Sequence, residues 1–252
     1  MTSSARRVSR QASPVLVFVL VLAAWQLVAV TVAPRWLPPL DDIGNKVVGQ
    51  LTSGDFAEAG LATLRTLGIG LLVSMAVAAV LAAALALSDV LDEALSTILG
   101  GLMAVPSVAL IPIFIFIWGL SDTTMIVSIV SFAVLPLTLQ WATALREVPA
   151  PLVEMSRSFE ASAAQLARTV YLPSVAPLLL TGVRVAVVQA IKGVISAEVI
   201  IGTVGIGRLL TIESSTFNIA GVWSVIVLII VASILSYALL SWLEGRASRW
   251  AD

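Results

Sequence analysis

Runs of apolar residues without charge divide the chain. A helix needs about 20 mostly apolar residues to cross a membrane, because each adds ~1.5 Å against a hydrocarbon core of ~30 Å. Six runs approach that length: 11–34, 66–88, 94–121, 123–145, 174–197 and 214–243, the fifth interrupted by Arg184 and Lys192. The pattern predicts an all-α, polytopic membrane protein with about six transmembrane helices. Three segments fall outside the runs. Segment 34–60 is expected to be an outside loop that opens with Leu37-Pro38-Pro39 and continues as a weakly amphipathic stretch. Segment 146–173 has helical composition, and 202–218 is a Gly/Thr/Ser-rich loop or re-entrant turn. One transmembrane domain over 14–245 is expected between two short tails, 1–13 and 246–252.

Basic residues set the expected orientation, because short cytoplasmic loops collect Lys and Arg. Arg6, Arg7 and Arg10 precede the first run, Arg146, Arg157 and Arg168 lie between the fourth and fifth, and Arg246 and Arg249 follow the last. Arg35, Lys46 and Arg208 lie on the alternate side. Both tails and segment 146–173 are therefore expected in the cytoplasm. The first run is longer than the apolar core of about 7–15 residues in a signal peptide, so it is expected to be a retained anchor.

Composition narrows the functions. The chain is 59% hydrophobic and 12% charged, with a mean hydropathy of +1.06. A soluble domain is about half apolar and about a quarter charged, so this chain has too little polar surface to coat a globule. Lys+Arg number 14 against 15 Asp+Glu, which leaves no basic field for nucleic acid. The absence of Cys and His removes disulfides, thiolate chemistry, imidazole acid–base work and Cys/His metal sites. An intramembrane enzyme therefore has no convincing motif. A secondary transporter or channel acting without an ATPase is the remaining alternative to a subunit of a larger transporter, but no internal repeat supports inverted halves.

Segment 146–173 carries the most informative pattern. Pro149 and Pro151 suit a helix start, and apolar residues recur at 152, 155 and 159. A break is expected at Glu160-Ala161-Ser162, with Ser162 capping a second short helix that ends before Pro173. Taken alone, such a pair fits a connector lying on lipid headgroups. Glu154-Met155-Ser156, followed 16 residues after Glu154 by Val170-x-Leu172-Pro173, resembles the EAA loop of ABC importer permeases. That loop reads Glu-Ala-Ala, three residues, Gly, nine residues, an aliphatic, one residue, Leu-Pro. Met155 and Ser156 replace Ala, and Glu160 stands where the family has Gly.

Other stretches resemble the nitrate/sulfonate/taurine type of permease. They are Val105-Pro106-Ser107-Val108-Ala109-Leu110-Ile111-Pro112 with Trp118-Gly119-Leu120-Ser121-Asp122, then Thr181-Gly182-Val183-Arg184, Ala197-Glu198, Gly205-Ile206-Gly207 and Leu37-Pro38-Pro39. The resemblance spans roughly residues 35–245. It implies a bacterial inner-membrane subunit of type I permease fold that works as a dimer and carries no cofactor. ATP and Mg would sit on a partner ATPase, in keeping with the lack of a G-x-x-x-x-G-K-[ST] loop in this chain. A short six-span chain suits a homodimer. An outside binding protein would deliver a small anionic solute such as a sulfonate, taurine or nitrate to segments 34–60 and 202–218. Glu154, Met155, Ser156, Phe159, Glu160, Ala161, Leu172 and Pro173 would engage the ATPase, whose closure would then turn the membrane helices by alternating access.

Charges and prolines within the spans complete the candidates. Arg184, Lys192 and Glu198 lie in or near the fifth run, where an ionised group costs about 2.5–3.5 kcal/mol on insertion scales. They are read as a substrate pathway for an anion, or as structural and gating charges. Arg184 is the less specific, because the resembling family has Gly-x-Arg there whatever its substrate. Pro106, Pro112 and Pro136 are read as hinges or as packing kinks. Ser74, Ala78, Ala82 and Ala86 form a small-residue stripe that lets another helix approach closely. The seven tryptophans lie mostly near run ends, as interface anchors do.

Overall fold

The structure is a computed structural model that describes residues 3–32 and 34–247, with side chains described for 16–32, 34–239 and 241–242. The expected tails at 1–13 and 246–252 extend beyond what is described. Every regular element among the described residues is helical. Two compact units form, one from Met1–Ala57 with Leu209–Ile229, the other from Glu58–Arg208 with Ile230–Asp252.

The first unit holds α1 (Ser3–Thr31) and α2 (Leu40–Ser53). The segment expected to be a loop is thus largely helix, ended by Gly54 at φ 82°, a backbone that only glycine adopts freely. Pro39 offers α2 no side-chain cap. Gln26 supplies it instead, its Oε1 accepting from the Leu40 N–H at 2.7 Å. Two tryptophans hold the preceding turn. Trp25 donates to the Pro38 carbonyl at 3.0 Å and Trp223 to that of Trp36 at 3.1 Å, their rings edge to face at 4.7 Å. These two indoles clasp the turn that leads into α2.

The second unit is built on three helices: α3 (Asp55–Leu87), α6 (Asp122–Arg146) and α9 (Leu172–Ile201). Their contact faces are lined by small residues, so the backbones approach closely. Ala78 and Ala82 of α3 pack with Ile129, Ala133 and Leu137 of α6 and with Ala186 and Ala190 of α9. The stripe on the second run therefore meets its own chain. Gly70 faces Ile129, and Gly182 faces Trp141. Trp141 is buried and donates to the Leu179 carbonyl at 3.0 Å. It fastens α6 to α9, and its burial sets this one tryptophan apart from the interface anchors expected at run ends.

Among the described residues, four helices are long and apolar enough to cross a membrane: Asp55–Leu87, Asp122–Arg146, Ala163–Ile201 and Ile219–Leu239, the last within α11 (Ile219–Ala247). The third run differs from the single span expected. It splits into α4 (Asp89–Leu102) and a 3-10 turn at Ser107–Leu110 leading into α5 (Ile111–Trp118), bent by 86°. Pro106 explains the break, since it disfavours the α conformation at Val105. Counting the bent pair gives five spans, and the shorter apolar helix Leu16–Thr31 stands where the first was expected.

The three prolines prove unlike. Pro106 lies at the break, Pro112 falls in the first turn of α5, where its missing N–H costs nothing, and Pro136 alone lies inside a continuous helix. Segment 202–218, expected as loop or re-entrant turn, holds α10 (Ile206–Ser215).

A Cβ on Gly182 would lie 2.6 Å from Trp141 Nε1, whereas one on Gly68 meets nothing within 4 Å. Gly182→Ala is expected to cost about 1–3 kcal/mol through overpacking, and Gly68→Ala to gain up to about 1 kcal/mol in helix propensity. Thermal unfolding of the two variants in detergent should therefore move Tm in opposite directions.

Candidate functional site

The resemblance-bearing segment folds into α7 (Ala150–Ser158), a tight turn, and α8 (Ala163–Leu166). Pro151 sits in the first turn of α7, where a missing N–H is harmless. Glu154, Met155 and Ser156 lie mid-helix. Leu152 and Met155 are exposed and share a face with Phe159, which is 79% exposed just past the helix end. Glu160 then adopts φ 55°. The position where the family pattern has Gly does require a left-handed backbone, and Glu supplies it at a cost of about 1–2 kcal/mol. The turn is closed by the Ala161 N–H on the Ser156 carbonyl at 3.1 Å.

Ser162 caps α8 as expected, within a reciprocal box. Its hydroxyl accepts from the Gln165 N–H at 3.3 Å, while Gln165 Oε1 accepts from the Ser162 N–H at 2.8 Å. The helix does not end before Pro173, and that expectation is corrected. A π turn at Ala167–Tyr171 carries it into α9, giving one helix over Ala163–Ile201. Pro173 has no N–H to offer the carbonyl four residues back, and a widened turn absorbs that mismatch without breaking the helix.

An ion-pair staple sits beside this elbow. Arg146, at the end of α6, reaches Asp92 at 2.7 Å and Asp89 at 3.7 Å, and donates to the Leu85 carbonyl at 2.8 Å. Three helix ends are joined immediately before α7. Neither aspartate stood out in the sequence, because their use depends on the chain turning back from α3 into α4.

At the far end of α9, Glu198 is 0% exposed. Its carboxylate accepts from the Thr63 hydroxyl at 2.7 Å and from the Gly207 N–H at 2.9 Å. Thr63 in turn accepts the Ile206 N–H at 3.0 Å. A Cβ on Gly205, whose φ is 87°, would collide with the carboxylate, and one on Gly207 would lie 2.6 Å from Glu198 Cβ. The carboxylate thus binds the start of α10 to α9 and α3, and it faces its own chain. Thr63 carries no motif and was not legible as a functional residue.

The other two charges of α9 differ from each other. Arg184 donates to the Tyr237 hydroxyl at 3.1 Å, and its guanidinium lies 5.4 Å from that ring. Lys192 is exposed and donates to Gln189 at 3.0 Å. It shares an exposed stripe with Val185 and Val188. The structure therefore gathers 154–173 at one end of the second unit, but strings Arg184, Lys192 and Glu198 along α9 without bringing them together.

In the first unit, both segments expected to meet a binding protein line one cavity of about 640 Å³, with Asp42, Lys46 and Gln50 from α2 and Glu213 from α10. Glu213 is held by Asn218 at 2.6 Å and Gln50 at 3.3 Å. Phe217, beside it in the turn, is 86% exposed at φ 56°. No group of His, Cys, Asp and Glu able to hold a metal occurs among the described residues.

Two substitutions probe these ends with opposite signs. Glu198→Ala strands the Thr63 hydroxyl and the Gly207 N–H, and is expected to destabilise by about 2–3 kcal/mol. Glu160→Gly removes the strained turn residue and is expected to stabilise by about 1 kcal/mol. Denaturation of purified protein should show the first Tm falling and the second rising.

The family described as binding-protein-dependent transport system inner membrane component matches residues 75–249. The riboflavin transport system permease protein RibX of Chloroflexus aurantiacus is 30% identical over 64% of this chain and 60% of its own length. The formylaminopyrimidine transport permease protein ThiX of Halalkalibacterium halodurans is 26% identical over 94% of this chain and 95% of its own. The nitrate import permease protein NrtB of Synechococcus elongatus is 24% identical over 74% and 70%. Among solved structures, the inward-facing MetNI methionine ABC transporter shares the fold at a TM-score of 0.67 and 18% identity, over 81% of this chain and 99% of that one. With the all-helical bundle, the elbow at 154–173 and a family match over most of its length, the chain belongs to the inner membrane components of binding-protein-dependent transport systems, the multi-pass permeases of ABC importers.

Proposed function

We propose that the protein is the permease of an importer for a small anion, works as a homodimer, and is driven through α7 by a separate ATPase that binds ATP and Mg. The observation that carries the coupling role is the exposed face of Leu152, Met155 and Phe159 on a short helix whose far side joins a continuous span. An apolar strip of this kind fits a groove on a soluble partner, because burying it on binding removes it from water. The turn at Glu160 and the staple at Arg146 keep that strip stiff, so force on α7 reaches α9 as rotation.

Lys192 supports the anion. An exposed ammonium on a spanning helix is costly against lipid, so its face calls for a partner chain or an aqueous path. A second copy placed on the Val185–Val188–Lys192 stripe would put two cations beside one pathway. Arg184 is engaged by Tyr237 and Glu198 by its own turn, which leaves Lys192 as the candidate for substrate contact. The cytoplasmic placement of 146–173, and with it of both termini, follows from the same reading. The first unit's cavity, lined by Asp42, Lys46, Gln50 and Glu213, is the surface offered to the binding protein. The riboflavin and formylaminopyrimidine relatives support a second reading, a small heterocyclic substrate, in which Lys192 meets a polar edge instead of a full charge.

Paired Met155→Asp and Phe159→Asp substitutions are expected to abolish copurification with the ATPase while the protein still inserts in the membrane. Transport that survives removal of residues 154–173 would overturn the coupling role. Lys192→Ala is expected to raise the uptake KM for an anion at least tenfold with ATPase binding intact. Uptake kinetics unchanged by that substitution would take Lys192 out of the path. A thermal-shift screen of the cognate binding protein against anions and heterocycles separates the two substrate readings.

A further inference from the structure

A second cavity lies behind α7, on the side away from Met155 and Phe159. It measures about 400 Å³ and is walled by Ala83, Ala86 and Leu87 from α3, Leu145 from α6 and Tyr171 from the π turn, a size within the ~300–1,000 Å³ typical of ligand sites. One charged residue lines it, Arg157. Arg157 follows Met155 by two residues, which turns it about 200° around the helix. The face read above as meeting the ATPase and the face carrying this cation thus point in different directions.

The chemistry of the walls selects the occupant. A soluble anion would meet the exposed Arg157 but leave the alanine and leucine walls wet, and a neutral apolar molecule would fill the walls and make no use of the guanidinium. Arg146, the neighbouring cation, is already taken by Asp92 and Asp89. No carboxylate lines the cavity to serve Arg157, and Arg157 has no ion pair among the described residues. The cavity sits where the apolar spans α3 and α6 end and the polar elbow begins, the level at which a bilayer changes from acyl chain to headgroup. An anionic amphiphile matches both parts.

We propose that this cavity holds an acyl chain of an anionic phospholipid, with its phosphate on Arg157. Its occupancy wedges α7 against the bundle and so tunes how firmly ATPase movement is passed on. The regulatory half rests on the coupling role proposed above, whereas binding of the lipid does not.

The test uses the purified transporter assembled with its ATPase and binding protein. Native mass spectrometry reads retained lipid after exposure to a phosphatidylglycerol/phosphatidylcholine mixture. Nanodiscs of phosphatidylcholine, with or without phosphatidylglycerol, read substrate-stimulated ATP hydrolysis. Wild type and Arg157→Lys are expected to keep phosphatidylglycerol in preference to phosphatidylcholine, and Arg157→Gln to lose that preference at least fivefold. Arg168→Gln, which removes an exposed charge of the same elbow outside the cavity, should leave retention unchanged. Hydrolysis should rise severalfold with phosphatidylglycerol in wild type and not in Arg157→Gln. Equal retention in wild type and Arg157→Gln, equal loss in Arg168→Gln, or indifference to headgroup charge overturns the lipid site. Failure of Arg157→Gln to copurify with the ATPase would make Arg157 a partner contact and also overturn it. Selective retention with no response of hydrolysis would keep the site and overturn its regulatory role. If the Met155→Asp and Phe159→Asp pair still bound the ATPase while lipid retention followed Arg157, the coupling reading would fall and the lipid site would stand.

Discussion

Between Ala163 and Ile201 the backbone forms one helix, and what holds its two ends governs the rest of the second unit. At the start, the Ser162–Gln165 box satisfies backbone donors that would otherwise fray. At the finish, Glu198 takes the Thr63 hydroxyl and the Gly207 N–H into a site closed to solvent. The helix runs unbroken between those ends, with Pro177 inside it. The π turn at Ala167–Tyr171 is what keeps the helix whole across Pro173.

The elbow itself is built from small elements made stiff by local bonds. Neither α7 nor α8 buries a residue of its own, so packing contributes little to their placement. Their geometry comes from the left-handed turn at Glu160, the Ala161–Ser156 bond and the cap at Ser162. A bulky residue in a strained turn persists only where its surroundings over-determine it. Phe217 in the first unit repeats the arrangement, with an exposed ring at φ 56° held between Glu213 and Asn218. Both strained turns lie in segments that the resemblance assigns to partner proteins.

A chain this apolar has few polar side chains; Thr66, Ser74, Ser128 and Ser224 bond to backbone within their own helices, while a handful join elements distant in sequence. Trp141 spans α6 to α9, Arg146 joins α6 to α3 and α4, Thr63 and Glu198 join α3 to α9 and α10, and Arg184 reaches Tyr237 of α11. In an apolar setting the hydrophobic effect does not choose one packing over another, because lipid is as apolar as the core. Small-residue contacts and such polar bonds do the choosing. Lys192 and Arg157 stand outside this set, and the two functional proposals rest on them.

Charge-free runs were enough to read an all-helical membrane protein and to find its long helices, two of which begin 11 residues before the run that marked them, at Asp55 and Ala163, while the resemblance over Glu154 to Pro173 marked the elbow. Those features are local, set by hydrophobic length and by which residues tolerate a turn. The 86° break at Pro106 was not legible, because prolines within an apolar run read alike until the chain's path separates a break from a helix start. Thr63, Asp89, Asp92 and Tyr237 were silent for a related reason: each works only with a partner that the fold brings from elsewhere. Glu198 was visible as a charge, yet its role as the fastening of a turn depended on two glycines whose missing side chains leave it room. Sequence alone determined where the long apolar helices run, because hydrophobic length is a local property. Tertiary structure decided which polar atoms meet, since that is settled by close backbone approach between helices far apart in the chain.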